Sequence, residues 1–114
     1  MIVREVVEKL GLQVVAGSAA LNREITGGYA ADLLSCVMAR AKPGNVWVTL
    51  QAHPNVIAVA VLLELAAVIV TENAPIAAEV AAKAEAEKLV VLATPCTTFA
   101  IVTELARLGV AAQE

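Results

Sequence analysis

The sequence predicts an α/β fold of three layers, α/β/α, around a mostly parallel central sheet, and three observations lead to it. Val46-Trp47-Val48-Thr49, Val68-Ile69-Val70-Thr71 and Val90-Val91-Leu92-Ala93-Thr94 are apolar, β-branched runs that each end in threonine. Strands buried on both faces read as such continuous runs, whereas half-exposed strands alternate. The three threonines lie 22 and 23 residues apart, the length of one strand plus one returning helix. Hydrophobic residues make up 60% of the chain but aromatics only 3%, so the apolar mass is Ala, Val, Leu and Ile, which lets helices lie close on a sheet.

The remaining elements follow in order. Ile2 to Leu10 places apolar residues at 2, 3, 6, 7 and 10, an amphipathic helical period that Gly11 ends. Leu12–Ala16 is a short strand, Gly17–Asn22 a turn, and Ile25–Ala31 a second short strand carrying Thr26-Gly27-Gly28. Asp32 is expected to cap a helix running to Ala41, its carboxylate accepting from the first free amides. Lys42-Pro43-Gly44-Asn45 is a turn. Helices are expected over Asn55–Leu65, Ile76–Lys88 and Thr98–Leu108, with Pro54 and Pro75 in first turns, where proline is tolerated. Val56 to Leu63 is apolar on every side, as in a helix covered on both flanks or forming an oligomer interface.

Composition excludes several function classes. At 114 residues the chain is one domain, residues 1–114, long enough for one sheet and its helices. A net charge of −3 and a single Trp, Tyr and Phe give neither the basic footprint nor the stacking platforms of a nucleic-acid-binding protein. Mean hydropathy is +0.79, and Pro43–Leu63 is free of formal charge, but Asn45, Gln51, His53, Pro54 and Asn55 break it into runs too short for a membrane span. Charged residues at 4, 5, 8 and 9 interrupt the N-terminus where a secretory signal would be apolar, so a cytoplasmic protein is expected. Cys36, Cys96 and one histidine make no metal set, and the cysteines are expected to be reduced and mostly buried.

In a parallel sheet, ligands bind beyond the carboxyl ends of strands, where helix N-termini offer free amides. The polar residues gather there: Thr49, Gln51, His53 and Asn55 after one strand, Thr71, Glu72 and Asn73 after the next, Thr94, Thr97 and Thr98 after the third. The same residues also suit helix capping and loop satisfaction. Gly27-Gly28 permits a tight bend or a close backbone approach. It lacks the spacing of a phosphate-binding glycine loop. Arg23 stands just before it, as a ligand contact or a surface ion pair, and Trp47 belongs to the core. No nucleophile–base constellation or catalytic carboxylate pair is visible.

Asn22-Arg23-Glu24-Ile25-Thr26-Gly27-Gly28, continued through Tyr29–Ser35, resembles the signature of the DRTGG domain. Gly44–Asn55 and Ala66–Thr71 are similar to its later pattern. Asn22 stands where the name-giving aspartate is expected, and Cys36 where an acidic residue is. The resemblance implies a fold like the N-terminal domains of HPr kinase and of the UDP-MurNAc-tripeptide ligases. It also implies a regulatory or dimer-forming role rather than a catalytic one, no cofactor, and a partner enzyme in a redox or hydrogenase-linked system. Arg23, Thr26, Gly27, Gly28, Asp32, Thr49, Gln51, His53, Asn55 and Thr71 match the pattern and are the expected ligand-binding set. Three readings follow: a homodimeric regulatory domain holding a nucleotide or other phosphometabolite, a pure association module, and a small enzyme acting on a phosphorylated metabolite.

Overall fold

A computed structural model describes all 114 residues. Helix α1 spans Val3–Leu10, strand β1 Gln13–Ala16, β2 Gly27–Ala30, α2 Leu34–Arg40, β3 Asn45–Thr49, α3 Pro54–Leu62, β4 Ala67–Val70, α4 Ala78–Ala86, β5 Val90–Ala93 and α5 Thr98–Arg107, with a short 3-10 turn at Ser18–Ala20. The five strands form one sheet in the order β1-β5-β4-β3-β2. β2, β3, β4 and β5 are parallel, and β1 pairs antiparallel with β5. The expected α/β architecture with a mostly parallel sheet is what forms.

The layering follows from connectivity. Each parallel strand lies beside its successor, and such crossovers are right-handed, so the three connecting helices fall on the same face. Trp47, Val68, Val70 and Val91 pack there against Val37 of α2, Val56, Ile57 and Ala60 of α3 and Val80 of α4. On the other face Val46, Val48, Ile69, Val90 and Leu92 meet Val3 and Val6 of α1 and Ile101 and Leu105 of α5. Adjacent strand residues thus feed opposite cores, the period-two rule applied to a sheet covered on both sides. Trp47 is fully buried, and its indole N–H donates to the Ala31 carbonyl at 2.8 Å, which satisfies its only polar atom.

Several local expectations are corrected. Asp32 does not cap α2: the cap position is Leu33, with no side-chain hydrogen bond. Pro75 lies ahead of α4, which begins at Ala78, whereas Pro54 does open α3. The apolar α3 is covered only in part: it sits between α2 and α4 and buries Val56, Ile57, Val59 and Ala60, while Ala58, Val61 and Leu62 stay exposed. Cys36 is half-buried but Cys96 is exposed, and both thiols are free. No helix is long and apolar enough to cross a membrane.

Candidate functional site

The carboxyl ends of the parallel strands join four of the ten expected ligand residues, Asp32, Thr49, Gln51 and Thr71, into one hydrogen-bonded network, with His53 and Asn55 on the loop that follows. Thr49 and Thr71 are fully buried where β3 and β4 end, and Thr94 nearly so. Asp32 reaches across from the end of β2, and its Oδ1 accepts from Thr49 Oγ1 at 2.8 Å and from the Leu50 amide at 2.9 Å. Thr49 Oγ1 in turn accepts from the Gln51 amide at 3.2 Å. Thr71 Oγ1 donates to the Thr49 carbonyl at 3.4 Å and, with its one proton so used, accepts from Thr98 Oγ1 at 2.6 Å. Glu72 Oε2 accepts from the Thr98 amide at 2.8 Å, fastening the β4 loop to the start of α5. His53 caps α3, its Nδ1 accepting from the Asn55 amide at 3.1 Å. It makes no hydrogen bond or ion pair with Asp32 or Glu72.

The network is closed upon itself. No buried side-chain nitrogen or oxygen lacks a partner, so these hydroxyls hold loops to strands. Glu72 and Asn73 adopt φ of 61° and 55°, a left-handed pair in which glutamate is uncommon. Their amides donate to the Cys96 and Thr94 carbonyls, which is what holds the turn. A cleft of about 120 Å³ does open beside the ends of β4 and β5, between Gly11, Gln13, Asn73, Ala74, Thr94 and Pro95. It is smaller than the usual small-molecule site, and topology accounts for its size. Ligand clefts in parallel sheets form where successive crossovers diverge to opposite faces, and all three crossovers of this sheet run the same way.

Arg23, Thr26, Gly27 and Gly28 lie apart from that network, around the amino end of β2. Gly27 pairs with Asn45, the first residue of β3, whereas Thr49 is the last. At about 3.3 Å per residue, the two ends are roughly 13 Å apart along the strand. The structure therefore does not bring the Thr26–Gly28 turn together with Thr49–Asn55 and Thr71–Asn73. Arg23 makes neither a surface ion pair nor a contact with the strand ends. Its guanidinium donates to the Leu65 and Glu64 carbonyls at 2.9 and 3.3 Å, beyond the C-terminus of α3, where a cation also suits the helix dipole. Asn22 Oδ1 accepts from Arg4 Nε at 3.2 Å.

The glycine pair meets the far end of the chain. The Gly28 amide donates to the Ala111 carbonyl at 3.0 Å, and Gly28 forms a parallel bridge with Ala112. A Cβ on Gly27 would stand 2.9 Å from the Ala111 oxygen and 3.1 Å from Gln113 Cβ. Thr26 Oγ1 donates to the Pro43 carbonyl at 2.8 Å. The buried Asn45 Nδ2 lies between Thr26 Oγ1 at 3.3 Å and Gln113 Oε1 at 2.8 Å. The close backbone approach that the glycines allow is thus made by residues 110–113.

Two grooves flank this attachment and share Gly28, Tyr29 and Ala112. One, about 300 Å³, is lined by Tyr29, Ala39, Arg40, Lys42, Gln113 and Glu114. The other, about 350 Å³, is apolar, with Ala30, Val48, Val102, Leu105 and Val110 among its walls. Arg40 and Lys42 were not among the residues expected from sequence. Their signal was there to read: two cations at consecutive even positions closing a helix beside the Pro43-Gly44 turn. No three His, Cys, Asp or Glu side chains converge on one point anywhere in the chain.

No curated protein matches the chain in sequence. Among solved structures it is similar to the CBS and DRTGG domains of the regulatory region of Clostridium perfringens pyrophosphatase, complexed with the activator diadenosine tetraphosphate. The TM-score is 0.70 at 14% identity, covering 86% of this chain and 43% of that one. The chain therefore spans less than half of that regulatory region, and the likeness is one of fold. A model of the DRTGG domain matches residues 5–108, nearly the whole chain, and carries with it the Asn22–Gly28 segment that clasps the C-terminal residues: the protein belongs to the DRTGG domain family.

Proposed function

We propose that this protein is a non-catalytic regulatory domain of the cytoplasm that binds a small anionic ligand of the nucleotide class and works as a homodimer. One observation carries the reading: its fold and family are those of a domain in a regulatory region crystallised with a dinucleotide activator. The internal chemistry supports the absence of catalysis. The buried hydroxyls at the strand ends are engaged in loop closure, and one oxygen each of Asp32 and Glu72 and the Nδ1 of His53 are held by local donors. Isothermal titration of the full chain with mono- and dinucleoside phosphates tests the ligand half. Saturable binding is expected, and heats indistinguishable from dilution at millimolar ligand would refute it.

A second reading, association without a ligand, is favoured by the surface around β2. That strand ends the sheet, and alternate amides face away from β3 there: Ala31 donates inward to Val48, whereas Gly28 donates outward to Ala111. Leu33 and Phe99, on segments flanking β2, are 64% and 71% exposed, and Met38 and Val102 are exposed beside them. Apolar surface next to an edge that the C-terminal segment covers only around Gly28 suits pairing of two copies. Light scattering after gel filtration decides on self-association, and a monodisperse monomer would rule out the dimer in both readings.

A further inference from the structure

Of the eight lysines and arginines, three have side-chain partners: Arg4 with Asn22, Arg23 with two backbone carbonyls, and Arg107 with Glu104. Among the other five, Arg40 and Lys42 line one groove, at about 300 Å³, and neither makes an ion pair or a side-chain hydrogen bond. Their neighbour Tyr29 is held in place, its hydroxyl donating to the Cys36 carbonyl at 3.3 Å. Two unpaired cations beside an aromatic ring anchored through its hydroxyl give the groove a positive lining with one ordered wall. Phosphate suits the cations, because guanidinium grips it through parallel N–H donors and ammonium adds a point charge. An aromatic ring suits a base, through its flat face. The volume falls at the lower end of the range for small-molecule sites, the scale of a mononucleotide or of one half of a dinucleotide.

The strand ends lack this chemistry. Asp32 and Glu72 place two carboxylates there with their donors already supplied, and an anion would meet like charge. Glu114 also lines the basic groove and offsets part of its charge. It is the one element of the groove that opposes an anion.

We propose that the groove between the end of α2 and residues 112–114 is the nucleotide site, with Arg40 and Lys42 holding phosphate and Tyr29 carrying the base. This location rests on the ligand-binding reading above and deepens it. The test is titration calorimetry with AMP, ATP and inorganic phosphate on the full chain and three variants. All the substituted side chains are exposed, and thermal unfolding without ligand verifies that each variant folds. Arg40→Ala/Lys42→Ala is expected to weaken ATP binding ~10- to 100-fold, the loss of one or two charge-assisted contacts. Glu114→Gln is expected to tighten it roughly two- to fivefold, the scale of one exposed like-charge interaction. His53→Ala is expected to leave it unchanged. AMP is expected to bind more tightly than inorganic phosphate because only AMP uses Tyr29.

The failures separate. If the unmodified protein binds none of the three, the ligand-binding reading falls and the location with it. If it binds ATP and the double substitution does not weaken binding, the location alone is overturned. Weakening by His53→Ala instead would move the site to the strand ends and overturn it as well.

Discussion

Two glycines with left-handed backbones separate the cost of conformation from the cost of space. Gly11 has φ +63° with nothing within 4 Å of where a Cβ would stand. Gly17 has φ +80°, and its Cβ would lie 2.4 Å from the Leu89 carbonyl oxygen and 2.6 Å from both Leu89 C and Val90 Cα. Gly11→Ala therefore meets only the left-handed penalty, about 1–2 kcal/mol. Gly17→Ala meets the same penalty and drives a methyl into the backbone leading into β5, which no rotamer change relieves. Overpacking of that kind adds about 1–3 kcal/mol. The total, roughly 2–5 kcal/mol, is a large share of the ~5–15 kcal/mol that holds such a domain folded. For a chain of this size each kcal/mol moves Tm by about 3–6 °C. Differential scanning calorimetry should place Gly17→Ala well below Gly11→Ala, with Gly11→Ala itself about 3–12 °C below the parent. Equal shifts for the two variants would refute the assignment of Gly17 to a steric contact with the Leu89–Val90 backbone.

Two further substitutions probe the two ends of the sheet. Gly27→Ala should lift the C-terminal segment from β2, because its Cβ would stand 2.9 Å from the Ala111 oxygen. Hydrogen exchange at the Gly28 amide should then accelerate about 10-fold or more for the weakening of one local hydrogen bond, and unchanged protection would show that the glycine pair does not serve this contact. Asp32→Ala strands the buried Thr49 hydroxyl and should cost about 1–2 kcal/mol, read as a lower urea midpoint at constant m. Adding Thr49→Val should restore part of it, and a loss no larger than the ~0.5 kcal/mol of an ordinary surface change would count against the network.

The parallel strands were legible because each is a run of Val, Ile and Leu buried on both faces, and such runs carry their own signal. The direction and neighbour of β1 were not. Val14-Val15 reads as strand, yet nothing local says that it pairs antiparallel with β5 at the edge. Thr26 and Thr49 resemble one another as polar residues beside apolar runs. Only the parallel register of β2 with β3 shows that the start of one strand and the end of the other lie at opposite ends of the sheet. Asp32 was read as a helix cap because the competing acceptor role needs Thr49 and Leu50, which arrive only when β3 is laid beside β2. The glycine pair suggests a tight turn or a close approach to a ligand, whereas what approaches it is residues 110–113, at the other end of the chain, where local pattern has no reach.

The segment Glu24–Gly28 also carries a mechanical consequence. At one end the Ile25 amide holds the Met1 carbonyl at 2.8 Å and Ile2 bridges Glu24. At the other, Gly28 holds Ala111. Tension applied between residues 1 and 112 would thus load two short attachments to one segment and bypass the β3–β4–β5 ladder. Both would peel bond by bond at low force, exposing Gly27 and the start of β2 while the central sheet stayed intact. The signature stretch is where the domain would yield first to a pull, and where such a pull would be felt by anything resting on the neighbouring groove.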